Sequence, residues 1–147
     1  TRLRIPEKLI TDLQEEIEQK GGRLITVAKA TLRMPISDDA IFSMNEALPK
    51  LGLYHEYSIF DFVSSYNPNI ANQTQFDGTF NRTNRCYEMD LSSYIEALVN
   101  GKIPLEDKNL TIEVGAAYDY GNAFGYSTFA NTPENPVSIT LTYSVMK

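Results

Sequence analysis

Val137-Ser138-Ile139-Thr140-Leu141-Thr142-Tyr143-Ser144-Val145 lies near the end of the chain and decides its fold class. Val137, Ile139, Leu141, Tyr143 and Val145 point one way, and Ser138, Thr140, Thr142 and Ser144 point the other. Alternation with a period of two belongs to a strand with one buried face and one wet face. Its β-branched and aromatic residues suit a pleated surface. The stretch predicts a sheet protein whose last strand belongs to the core.

Working back from it, residues 1–5 predict a short first strand stopped by Pro6. Residues 7–20 predict a helix, because Leu9, Leu13 and Ile17, with Ile10 beside them, form one apolar stripe ahead of Gly21-Gly22. Residues 23–34 predict a long strand with Leu24, Thr26, Ala28, Ala30, Leu32 and Met34 on one face and Lys29, Thr31 and Arg33 on the other. Leu51, Leu53, His55 and Tyr57 predict a strand over 50–58. The period is lost over 59–84, a long amide-rich loop in which Asp77-Gly78 is a turn signal and Phe60, Phe62, Tyr66, Phe76 and Phe80 supply order. Residues 85–89 predict a strand, and Asp90 caps a helix over 91–100 with Leu91, Ile95, Leu98 and Val99 buried. Leu110, Ile112 and Val114 mark one more strand. Strands and helices do not alternate, so a parallel α/β sheet is excluded. The expected fold is mainly β: an antiparallel β-sandwich, jelly-roll-like, with two short peripheral α-helices.

A chain of 147 residues fits a single domain over 1–147 and buries a core without covalent staples. Its one cysteine, Cys86, forms no intrachain disulfide and reads as a small buried hydrophobe. The formal charge of −6, from 19 acidic and 13 basic residues, argues against nucleic acid and against an anionic membrane surface. No apolar run is long enough to span a bilayer. The chain opens on Thr1 in strand-like alternation and is expected to be a fragment of a longer exported protein.

Catalytic chemistry has few carriers. His55, the only histidine, alternates in register with strand residues and reads as structural, and nothing local supports a Cys86–His55 pair. The acidic residues fall on helix surfaces or at caps, leaving Asp61, Asp77 and Asp119 in loops. Brought together these would suit calcium, but there is no twelve-residue calcium loop, and no metal or cofactor is expected. Sequons at Asn72, Asn81 and Asn109 matter only in a eukaryotic secretory pathway. The candidate binding residues are Tyr118, Asp119, Tyr120, Asn122 and Tyr126, where rings stand beside amides and a carboxylate in glycine-containing backbone. Such a set suits a glycan, through stacking and planar hydrogen bonding; the same rings equally serve to pin long loops by packing inward.

Several segments, in order, resemble a domain of unknown function found in outer-membrane lipoproteins of Bacteroides-type bacteria. They are Thr1-Arg2-Leu3-Arg4-Ile5, Ala28-Lys29-Ala30-Thr31-Leu32, Pro49-Lys50-Leu51-Gly52-Leu53-Tyr54, Phe76-Asp77-Gly78-Thr79, Tyr87-Glu88-Met89-Asp90-Leu91 with Tyr94-Ile95, and the closing strand through Leu141-Thr142-Tyr143. The resemblance implies a β-sandwich exported to the cell surface and held at the membrane only through a lipid anchor outside this chain. It implies no site residues. The expected function is a non-catalytic surface module that binds a glycan or takes part in adhesion. The alternative is an assembly domain that docks on another outer-membrane protein.

Overall fold

The structure is a computed structural model and describes residues 2–36, 51–54, 77–116 and 131–147. In chain order its elements are β1 (Arg2–Arg4), α1 (Glu7–Gln19), β2 (Leu24–Pro35), β3 (Leu51–Tyr54), β4 (Asp77–Asn81), β5 (Cys86–Asp90), α2 (Ser92–Val99), α3 (Asp107–Leu110), β6 (Thr111–Ala116) and β7 (Ser138–Met146). The strands form two antiparallel sheets, one in the order β1-β6-β3 and one in the order β4-β5-β2-β7. The fold is therefore mainly β with a few short helices, as the alternation predicts.

Register explains how the larger sheet presents its apolar face. Leu32 lies between Met89 and Ile139, and Met34 opposes Tyr87. Ala30 opposes Leu141, Val27 opposes Tyr143 and Ile25 opposes Val145. These residues share a side with the helices, and one cluster takes in Ile10, Leu13 and Ile17 of α1, Ile95 and Leu98 of α2, and Leu51, Leu53, Ile112 and Val114 of the smaller sheet. Each such aliphatic side chain contributes about 2 kcal/mol on burial.

Several expectations need correction. Leu24, Thr26 and Ala28 do not share a face with Ala30, Leu32 and Met34. The pairing with β7 skips Ala28, a β-bulge between Val27 and Lys29. One extra residue inverts the parity, so Ile25 and Val27 are buried while Leu24, Thr26 and Ala28 are exposed. Among the described strands the closing one lies at the edge of its sheet, and its aliphatic row is half-buried rather than interior. Asp77-Gly78 opens strand β4 instead of making a turn. Gly78 sits there at φ +89°, and a Cβ on it would stand 2.2 Å from the Leu51 carbonyl oxygen. This is the close approach that lets β4 pass β3, and glycine inside a strand marks such contacts.

Helix α2 is not peripheral: Tyr94, Ile95, Ala97, Leu98 and Val99 are all buried. Its polar residues extend the sheet. Strand β5 pairs β2 only along Thr31–Pro35 and ends at Asp90. Beyond that point the β2 amides lack a strand, and three side chains one helical turn apart replace it. Ala30 N–H donates to Ser92 Oγ (2.9 Å), Val27 N–H to Glu96 Oε2 (2.9 Å) and Ile25 N–H to Asn100 Oδ1 (2.9 Å). Asn100 Nδ2 returns a bond to the Ile25 carbonyl at 2.9 Å. The expected cap at Asp90 also needs correction: the helix runs over Ser92–Val99 with Leu91 as its N-cap, and Asp90, one residue earlier, accepts from the Ser92 N–H at 2.8 Å.

Candidate functional site

The two sheets lie close at β3 and β4 and leave a cleft at β1 and β7. Strand β1 is an edge of the smaller sheet and β7 an edge of the larger one. Arg2, Leu3 and Arg4 of β1, Ile5, Pro6 and Leu9 at the start of α1, and Val137, Ser138 and Ile139 at the start of β7 enclose a cavity of about 490 Å³. The buried Leu32, Leu91 and Ile112 also line it, and Asn131 stands at its mouth.

Local sequence builds each wall. Pro6, with φ −61°, precedes the first turn of α1, where a missing N–H costs nothing, and Leu9 N–H bonds back to the Pro6 carbonyl at 3.0 Å. Ile5 N–H donates to the Leu110 carbonyl at 2.8 Å, which fixes β1 and the start of α1 to the end of α3. Ahead of β7, Asn135 N–H donates to Thr132 Oγ1 (3.1 Å), and Val137 N–H to Asn131 Oδ1 (3.2 Å). Arg33 ties this turn to the sheet through Nη1 to Asn135 Oδ1 at 3.0 Å.

The interior of the cleft is aliphatic and its rim is cationic. Arg2 Nε donates to Glu113 Oε1 at 3.1 Å and Arg4 Nη2 to Asp107 Oδ1 at 2.7 Å. The Arg4–Asp107 pair is open to water, with side chains 52% and 86% exposed. Such pairs are worth about 0–1 kcal/mol, so an incoming anion competes with Asp107 at little cost. Among the described residues the lining holds no aromatic ring, and its one hydroxyl is that of Ser138. The cleft can therefore take an aliphatic group and accompany it with a negative charge.

The expected binding residues Tyr118, Asp119, Tyr120, Asn122 and Tyr126 lie outside the described residues, as do His55 and Asp61. Cys86 is fully buried, and burial, reinforced by the Glu88 carboxylate, pushes its thiol up. Asn109, one of the sequon residues, is buried with Nδ2 on the Pro104 carbonyl at 2.8 Å, which leaves no room for a glycan there. Among the described residues no three of His, Cys, Asp and Glu stand together as a metal site, and no described helix is long and apolar enough to cross a membrane. Sequence reasoning missed the cleft. Its clearest signal was Arg2-Leu3-Arg4, a strand whose side chains facing away from Leu3 are both cations.

Comparison with known protein families, curated proteins and solved structures finds no match.

Proposed function

We propose that this chain is a non-catalytic binding module of a cell-surface lipoprotein, built as a jelly-roll-like β-sandwich, that docks on another protein through the cleft between β1 and β7. The sandwich reading is supported by the single apolar cluster to which both sheets contribute. The surface location rests on the sequence resemblance. One observation carries the docking reading: an aliphatic cavity of about 490 Å³ opens between the edge strands of two sheets. That volume lies in the range of ligand sites, and its lining suits an aliphatic side chain of a partner. Glycan recognition draws on ring faces, and the described residues of this cleft offer aliphatic groups and two arginines instead.

The test fills the cleft. In full-length protein extracted from outer membranes with mild detergent, wild type is expected to run as a complex larger than a monomer. Leu9→Trp places an indole in the cavity and should return it to monomer size without lowering its melting temperature. A wild-type monomer, or a complex that survives Leu9→Trp, refutes docking through this cleft.

A further inference from the structure

Strand β7 has one edge on β2 and another that faces outward, and the geometry fixes which groups lie on each. Ala30, Val27 and Ile25 turn their N–H groups toward α2, away from β7. Direction alternates along an antiparallel ladder, so Thr31, Lys29 and Thr26 bond to β7, where they oppose Thr140, Thr142 and Ser144. The odd-numbered residues of β7 therefore aim their backbone groups outward. Val137 fits this, because its N–H is taken by Asn131 on the outer side. Past Val137, the N–H and C=O groups of Ile139, Leu141, Tyr143 and Val145 line an edge that pairs with no strand among the described residues.

The strand itself also lacks the residues that protect an edge. Exposed edges are normally shortened, charged, bulged or interrupted by proline. Strand β1 is three residues long and carries two arginines, and β4 is irregular between Asp77 and Phe80. Residues 137–146 contain no charge and no proline, and the strand runs for nine residues. Its first residues, Ser138 and Ile139, are also walls of the cleft.

We propose that β7 accepts an extended segment of a partner polypeptide as an antiparallel fifth strand of the larger sheet, with an aliphatic side chain in the cleft and an acidic residue beside Arg4. This rests on the docking reading above and names what docks. Guest residues opposite Ile139, Leu141 and Tyr143 share their inward face. An antiparallel guest reaches Ile139 with its C-terminal part, so the inward residue there drops into the aliphatic cavity. The next inward residue passes the rim, where Arg4 holds only the exposed Asp107. In a chain of net charge −6 the cationic rim selects an acidic side chain at that one end.

The probe is a synthetic peptide, acetyl-Thr-Val-Thr-Val-Thr-Leu-Thr-Asp, with a twin in which Lys replaces Asp. Amide exchange is followed by NMR on the isotope-labelled chain. The Asp peptide should slow exchange at Ile139, Leu141, Tyr143 and Val145 by about tenfold or more, leaving Thr140 and Thr142 unchanged. The Lys peptide should bind more weakly by up to about fivefold, the worth of one exposed ion pair. Leu141→Pro removes one outward N–H while sparing every bond to β2, and should abolish peptide binding. Unchanged exchange at the four amides overturns strand addition, and equal binding of both peptides overturns the acidic assignment. Slowing that grows with protein concentration alone means that a second copy occupies the edge, and overturns the choice of partner. In the membrane extract the two readings separate. A complex lost in Leu9→Trp but kept in Leu141→Pro leaves docking intact and refutes strand addition. One kept in both refutes both.

Discussion

Asn100→Ala is the sharpest test of how this fold is closed. The Asn100 amide accepts from the Ile25 N–H and donates to the Ile25 carbonyl, both at 2.9 Å, and Ile25 is fully buried. Alanine removes both partners and leaves two backbone groups without bonds in the interior. Each orphaned group costs about 1–3 kcal/mol, so the variant should lose about 2–6 kcal/mol. Against a total stability of about 5–15 kcal/mol, that is a large fraction. For a chain of this size each kcal/mol moves Tm by about 3 °C, so the drop should be about 6–18 °C. Urea unfolding and calorimetry at neutral pH measure it. Ser92→Ala orphans only the Ala30 N–H and should cost about half as much. A loss below about 1 kcal/mol for Asn100→Ala would mean that water reaches the β2 edge, and would refute the view that α2 stands in for a strand.

Gly78→Ala should destabilise far more than Gly101→Ala. Both glycines have positive φ, +89° and +75°, but a Cβ at Gly78 meets the Leu51 carbonyl oxygen at 2.2 Å, whereas at Gly101 it meets nothing. Gly101→Ala should cost only the backbone strain of about 1–2 kcal/mol, and equal losses in thermal melts would refute the close β3–β4 approach. Tyr143 Oη donates to Glu16 Oε2 at 2.5 Å, a contact that needs an ionised carboxylate and a protonated phenol. Lys20 first, then Tyr143, holds the Glu16 carboxyl below its ordinary 4.5. Its contribution is therefore present above that value and is lost as the pH falls through the lowered one. The same contact holds the Tyr143 phenol above its ordinary 10.0, so that contribution is present below 10.0 and is lost as the pH rises through the raised value. Tyr143→Phe should weaken both the acid and the alkaline dependence of Tm, and identical Tm–pH profiles for the two proteins would refute the linkage.

The elements that sequence predicted well are those whose period runs without interruption. The stripe of Ile10, Leu13 and Ile17 gives α1, and Ile95, Leu98 and Val99 give α2. Alternation over residues 137–145 gives β7. Alternation reports which residues share a face, but not how many strands flank the one that carries them, so an edge position was invisible. In β2 the parity changes at Ala28, and a one-residue bulge leaves no mark in a sequence where Leu24, Thr26, Ala28 and Ala30 already alternate with plausible partners. The Asp77-Gly78 dipeptide misled because a left-handed glycine serves a turn and a close strand crossing equally well. The cleft was illegible for a different reason. Its walls come from residues 2–9, 32, 91, 112 and 131–139, and only pairing across the whole chain brings these together.

The treatment of strand edges among the described residues supports the proposal that β7 takes a guest strand. The free stretch of β2 is covered by Ser92, Glu96 and Asn100. The first outward amide before β7 is covered by Asn131. Strand β1 is short and guarded by Arg2 and Arg4. The chain thus has three different ways of closing an edge, each using ordinary polar residues. A single lysine at Thr140, Thr142 or Ser144 would deter pairing with another strand, because these side chains face water and a charge there costs the fold almost nothing. Residues 139–145 carry no such residue, and they run directly out of the cleft. An edge that pairs with no described strand and carries no guarding charge, next to a cavity lined by two arginines, is the arrangement expected of a surface that takes a strand from elsewhere.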